Sequence, residues 1–212
     1  MPSNPYSQTP SPFIGVDMMY WAAMTAETVD ALPAYDTPYR LPGLVSVAFA
    51  ANSQSGTYYA DNIAYASAVQ LGDMTVTVQN ADVPPETYAK WLGMEYDGGV
   101  MNLGQLNPIF IGFMYRVKKA ISTHPNGNYR YFRFFKLKPA MPDVSASTQT
   151  NSIAFQDGTI TMPTSMRMFD KKFGVRVDDD DPNLPEGVTP EVIEANFFKD
   201  MLWLPGGTEI GG

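Results

Sequence analysis

Hydrophobic and polar residues alternate most cleanly over QLGDMTVTVQNAD (70–82), where Met74, Val76 and Val78 fall on one side and Asp73, Thr75, Thr77 and Gln79 on the other. A period of two places successive side chains on opposite faces of a strand, so this segment predicts a half-wet β-strand. Two other segments lack a wet side. In FIGVDMMYWAAMT (13–25) apolar and aromatic residues occupy both parities. In NGNYRYFRFFKLKP (126–139), Tyr129, Tyr131, Arg133, Phe135 and Leu137 share one face, while Arg130, Phe132, Phe134, Lys136 and Lys138 share the other. Such a strand needs cover on both sides, from a second sheet, from nucleic acid or from further copies of the chain.

Turn chemistry divides the rest. VSVAFAAN (45–52) and TYYADN (57–62) flank SQSG, predicting a hairpin with a polar tip. PIFIGFMYRVKKA (108–120) and the aromatic strand flank STHPNG, where Asn126-Gly127 suits positive backbone dihedrals. SASTQTNSIAFQDGTITMPTSMR (145–167) reads as a third β region, polar at its start. VPPETYAKWLG carries helix grammar, with Asp82 as N-cap, prolines in the first turn, Glu86 near the positive dipole end and Gly93 as the stop. Its Tyr88, Trp91 and Leu92 form one stripe, a lid for an open end of the sheet.

Six or seven strands with one or two short flanking helices predict a mainly β fold, a β-sandwich or barrel-like sandwich spanning 13–177. Residues 1–12, rich in Pro, Ser and Thr, predict an extended N-terminal arm. Residues 178–212 read as an acidic linker, DDDDPN, followed by a C-terminal helix and arm. Thr189 caps that helix, Pro190 opens it, and Ile193, Phe197 and Met201 form an i, i+4, i+8 stripe that docks on its own sheet or on a neighbour.

Composition removes several chemistries. The chain has no cysteine, which excludes disulfides, thiolate metal sites and Cys nucleophiles. His124, its one histidine, sits in a turn and reads as a solvated loop residue rather than a base or metal ligand. DDDDPN lacks the alternate acids and central glycine of an EF-hand loop and reads as a solvated linker rather than a calcium site. No phosphate loop or hydrolase motif is present, so neither a catalytic role nor a cofactor is expected. No apolar run reaches the ~20 residues of a membrane span.

The formal charge of -8 argues against sequence-specific DNA binding. It is unevenly spread, since residues 1–115 hold only Arg40 and Lys90 against ten acids, while Arg116, Lys118, Lys119, Arg130, Arg133, Lys136 and Lys138 crowd together. An acidic region facing a basic one suits contact between copies. Aromatics interleaved with Arg also suggest a base-stacking sheet using Tyr129, Tyr131 and Phe132, but YRYFRFF lacks the glycine and small residue of the RNA-recognition signature.

The order of these segments resembles the major tail protein, the tail tube subunit, of long non-contractile tailed bacteriophages. The resemblance runs from about residue 13 to about 203. It rests on FIGVDMMYWA, on TYYADN followed by QLGDMTVTV, on the helix ending KWLG, and above all on IGFMYRVKK...NGNYRYFRFFKLKPAMPDVSASTQTNSIAFQDGTITMPTSMR. The long Pro-rich arm and the Trp-containing DMLWLPGG depart from the family pattern.

The resemblance implies a tail tube fold whose subunits form homohexameric rings that stack helically into a conduit for genome ejection. Partners would be further copies, the tape-measure protein, tail-tip and terminator proteins, and phage DNA passing without sequence-specific binding. No membrane is involved. The location would be the virion tail, assembled in the host cytoplasm. Four strands from each of six subunits, at ~4.8 Å spacing, give a bore ~37 Å across before strand tilt widens it. On this reading Tyr129, Tyr131, Phe132, Phe134 and Phe135 form the subunit interface. Asn52, Ser53, Gln54, Ser55, Gly56, Tyr58 and Tyr59 form a ring-stacking hairpin. Asp73, Thr75, Thr77 and Gln79 face either the lumen or the exterior. The other readings are a nucleic-acid-binding sandwich and a related tail terminator or baseplate ring.

Overall fold

The computed structural model describes residues 10–125, 127–142 and 157–208. Its elements are β1 (Phe13–Ala26), β2 (Ala34–Tyr35), β3 (Tyr39–Arg40), β4 (Leu44–Ala60), β5 (Ile63–Asn80), α1 (Pro85–Leu92), β6 (Tyr96–Asp97) and β7 (Val100–Met101), then β8 (Ile111–Lys119), β9 (Tyr129–Leu137), β10 (Gly158–Thr164), β11 (Gly174–Asp178), α2 (Pro190–Asn196), β12 (Trp203–Leu204) and β13 (Gly207–Thr208). The chain is mainly β with two helices, as expected, and is organised around one large antiparallel sheet. The sheet runs β2-β1-β8-β9-β10-β5-β4, with β3 joining β1 and β11 joining β9.

The apolar residues dictate how that sheet curls. Trp21, Phe113 and Tyr115 from β1 and β8 pack with Val76 and Val78 of β5 and with Ile160 and Met162 of β10, so the two ends of the path fold over a shared core. The bend lies at β9. Arg130 to Phe134 pair with β11, whereas Leu137 pairs with Thr164 of β10. Past β9, the amides of Lys138 and Ala140 donate to the carbonyls of Pro163 and Thr161 at 3.0 Å, continuing the ladder beside β10.

A second apolar cluster covers the opposite face of β1, β8 and β9, where Ala22, Met114, Tyr131 and Val177 meet Ile193, Phe197, Phe198 and Met201. Thr189 caps α2 as its sequence predicts, its hydroxyl accepting the Val192 amide at 3.4 Å, with Pro190 in the first turn. The predicted stripe of Ile193, Phe197 and Met201 is fully buried, and it docks on the chain's own sheet. Arg133 ties this cover down from below, donating to the carbonyls of Phe197 (2.7 Å) and Trp203 (2.6 Å) and lying over the Phe197 ring.

Three expectations are corrected here. The hairpin does not turn at SQSG; these residues lie within β4, where Ser53, Gln54, Ser55 and Gly56 pair with Leu71, Gln70, Val69 and Ala68. The turn is at Asp61-Asn62, both with positive φ (51° and 63°), as two-residue hairpin turns require and as Asp and Asn tolerate. Asp82 does not cap α1. The N-cap position belongs to Pro84, with no side-chain cap, while the Asp82 carbonyl accepts from the buried Asn80 amide. DDDDPN is not a solvated linker, because Asp179 and Asp180 are buried against the 120–129 connection. Residues 1–9 of the proposed arm, Asn126 and the 143–156 part of the third β region lie outside the described residues, as do 209–212.

Gly93 ends α1 as predicted, in the left-handed conformation (φ 65°) with its amide on the Ala89 carbonyl. A Cβ there would stand 2.3 Å from the Asn107 carbonyl oxygen. Gly93→Ala is expected to cost about 2 kcal/mol or more, lowering the thermal midpoint by roughly 4–8 °C in a chain of this size. An unchanged midpoint in a calorimetric scan would contradict this placement.

Candidate self-assembly surfaces

The most unusual surface is a two-stranded ribbon. β10 covers the second edge of β5 only from Met74 to Asn80. Beyond Met74, among the described residues, β4 and β5 pair with each other alone out to the Asp61-Asn62 turn. About nine residues on each side, at ~3.3 Å per residue, carry the tip roughly 30 Å from the body. Every described side chain from Ala50 to Gln70 is exposed, and Asp61 is the one charged residue among them. Tyr58, Tyr59, Ile63, Tyr65 and Val69 are each more than 60% exposed, and the Tyr58 and Tyr65 rings meet edge-on at 6.4 Å. Of the stacking residues expected from sequence, Asn52 to Gly56 form the shaft, while Tyr58 and Tyr59 stand close to the tip.

Below the ribbon the predicted alternation is present as burial. Met74, Val76 and Val78 are inside, Asp73 and Gln79 are exposed, and Thr75 and Thr77 are half-buried. These four share an outward face with Thr159, Thr161 and Pro163 of β10, with Ser46, Ala48 and Ala50 of β4, and with Lys138 and Ala140 beside β10. Between Asp73 on one margin and Lys138 on the other, this wall presents hydroxyls, one amide, methyl groups and a proline ring. Ser46 Oγ bonds Gln79 Oε1 across it at 3.0 Å. Among the described residues, β4 has no partner on its outer edge.

The aromatic strand is covered differently from the expected way. Tyr131, Phe134 and Phe135 are buried within the single chain, Tyr131 against Phe197 and Phe198, and Phe134 against Tyr115 and Phe49. Phe132 stacks on Tyr115 at 5.0 Å and Tyr129 lies under the Arg116 guanidinium at 4.0 Å. The assignment of this segment to a subunit seam is therefore corrected for Tyr131, Phe134 and Phe135: α2 and the folded-over sheet supply both covers. The same burial removes Tyr131 as a platform for stacking bases.

The basic cluster is likewise spent internally. Arg116 is bidentate to Asp17 (2.7 and 3.2 Å) and reaches Glu194 at 2.8 Å. Burial disfavours its charge, but these carboxylates outweigh that and hold it firmly protonated. Lys119 pairs with Asp180, Lys136 with Glu27, and Arg130 with Asp178. Lys118 and Lys138 remain exposed. The expected basic patch is thus largely dispersed: four of its seven members, Arg116, Lys119, Arg130 and Lys136, neutralise acids of their own chain, and Arg133 binds backbone carbonyls.

Asp178 to Asp180 form a clasp. Asp179 accepts from the amides of Asn128 and Tyr129 (3.0–3.2 Å), and Asp180 accepts from the Thr123 amide at 3.0 Å as well as from Lys119. Burial raises the Asp179 pKa above the ordinary carboxylate value, only partly offset by those amides. Burial also works against Asp180, but Lys119 and the Thr123 amide bring it below that value. Among the described residues no group of acids or histidine is arranged to hold a metal ion. His124 is exposed in the adjacent turn. Sequence reading missed this clasp because a run of four aspartates carries no mark of which partners will neutralise it.

Beside β11 lies a groove of about 440 Å³, lined by Phe49, Phe132, Phe134, Phe173, Val175 and Arg176. Phe49 bridges to Phe134 and Phe173, with ring centroids at 5.1 and 5.7 Å. Gly174 permits the approach of β11, since a Cβ there would lie 2.5 Å from the Arg133 carbonyl oxygen. Among the described residues, no helix is long and apolar enough to cross a membrane. No protein-family profile matches the chain, and no curated protein matches it either.

The clasp has a pH signature. Asp180, with its depressed folded pKa, stabilises the fold above the ordinary value of ~3.9 and loses that contribution as pH falls through the folded pKa. Asp179, with a raised folded pKa, acts oppositely, favouring the fold at low pH and losing this as pH rises through the folded pKa. Lys119→Met is expected to destabilise by about 3–5 kcal/mol at pH 7, because it strands buried carboxylates. The penalty should shrink at pH 4, because the stranded Asp180, no longer held ionised by Lys119, takes up a proton more readily as pH falls. Urea unfolding at both pH values checks this, and an equal penalty at both would contradict it.

Proposed function

We propose that this chain is a structural virion protein: a tail tube subunit of a long non-contractile tailed phage, with a sandwich-like body. It assembles into hexameric rings that stack into a conduit for genome ejection. The observation that carries this reading is the bare β4–β5 ribbon. An isolated two-stranded hairpin is marginal in water, and an exposed strand edge is a template for further chains. A ribbon with exposed Tyr58, Tyr59, Tyr65 and Val69 and one charge has the composition of a surface meant to be covered.

The wall below it fits the bore. Residues 138–140, laid beside β10 by two backbone hydrogen bonds, extend the three strands β10, β5 and β4 to four adjacent segments, the number of strands that each subunit contributes in the tubes this sequence resembles. Edge pairing of β4 with the 138–140 side of the next copy would close six such sheets into one continuous barrel. Asp73, Thr75, Thr77 and Gln79 would then face the lumen, where a wall without central cations gives duplex phosphates nothing to bind. The tape-measure protein would occupy the same bore before the DNA, with tail-tip and terminator proteins closing the two ends.

Self-assembly is tested by negative-stain imaging and sedimentation of concentrated protein, alone and with tail-initiator proteins. Rings or tubes are expected. Replacing Tyr58, Tyr59 and Tyr65 together by serine should change stability only slightly, within about 1 kcal/mol, because all three are exposed. The same variant should lose long assemblies. Dispersed monomers under every condition would overturn the proposal.

A further inference from the structure

The ribbon must be received somewhere, and the groove beside β11 has the complementary properties. Its floor is aromatic: Phe49, Phe132, Phe134 and Phe173. Its rim is the outer edge of β11, which has no strand partner among the described residues, and the exposed guanidinium of Arg176. Arg176 stands opposite Phe132 in the β9–β11 ladder, and no described carboxylate lies within ion-pair distance of it. The ribbon tip offers the counterparts, namely tyrosine rings, Ile63, a two-stranded backbone with both edges unpaired among the described residues, and Asp61 as its sole charge.

Geometry excludes the tip's own groove. Phe49 lies just before Ala51, where the ribbon leaves the body, so the groove sits at the ribbon's base and the tip roughly 30 Å beyond it. We infer that the tip of one copy's β4–β5 ribbon docks in the Phe49/Phe134/Phe173 groove of a second copy, with Asp61 paired to Arg176. This rests on the stacking reading and adds its receptor. Tip-on-base contact uses two different patches and is therefore head-to-tail; where its rotation does not close a ring, it propagates copies in one direction with an offset set by the ribbon's length. A length is thereby written into the sequence: the distance from Phe49 to Asp61 fixes the step from one layer to the next.

Because the chain has no cysteine, the contact can be trapped without background. A double variant, Tyr59→Cys with Val175→Cys, which places the second thiol in the groove lining and keeps both Asp61 and Arg176, is oxidised after assembly and run on a non-reducing gel. A ladder of covalent oligomers is expected, with each single variant giving dimers at most. Charge reversal supplies a second readout: Arg176→Asp should reduce tube yield several-fold, and adding Asp61→Arg should restore it. Ordered tubes without a ladder, and without rescue by the reversed pair, would overturn the docking site while leaving stacking intact. A ladder obtained instead from Tyr59→Cys with a cysteine replacing Leu103, an exposed apolar residue outside the groove lining, would place the tip on another surface and equally overturn it. Absence of any ordered assembly by the unaltered protein would overturn both this inference and the reading beneath it.

Discussion

Two strands that pair only with each other impose the constraint on which the rest depends. From Ala51 and Met74 outward, β4 and β5 keep a continuous ladder, yet neither has a third strand or a covered face among the described residues. Backbone hydrogen bonds facing water contribute little net stability, and the described side chains from Asn52 to Gln70 stay exposed. A ribbon of mixed Ala, Ser, Gly and Tyr, with one charge at its tip, is a poor solution for an isolated protein. On the proposed reading, other copies would supply the missing neighbours.

The body is built to leave those surfaces undisturbed. Its cations are drawn inward: Arg116 to Asp17 and Glu194, Lys119 to Asp180, Lys136 to Glu27, and Arg133 to the carbonyls of the C-terminal segment. Each pairing joins segments distant in sequence, so the same charges that would have made a sticky surface instead fix α2 and the acid clasp in place. What remains outside on the β10-β5-β4 wall is mostly hydroxyl and methyl, with the Gln79 amide, the Pro163 ring and Asp73 at its margin. The electrostatics and the fold are in this sense linked, because the buried cations Arg116, Lys119, Arg133 and Lys136 hold distant segments of the chain together.

Much of the fold was legible because it obeys short-range rules. The period-two pattern of residues 73–79 became alternating burial, Thr189-Pro190 opened α2, and Gly93 closed α1. Where reading failed, a long-range partner decided the outcome. SQSG has turn composition but is held straight by its ladder to 68–71, and the quieter Asp61-Asn62 pair makes the turn. The two-sided aromaticity of β9 correctly demanded two covers, but nothing local shows that one of them is the chain's own α2. The DDDD run gave no hint that two of its members are buried.

Amide hydrogen exchange across the ribbon tests this dependence most directly. If the ribbon relies on other copies, amides from Asn52 to Leu71 exchange at nearly unprotected rates in dispersed protein and become strongly protected after assembly, while those of β8 and β9 stay protected in both states. Equal, strong protection of the ribbon in a lone molecule would contradict it.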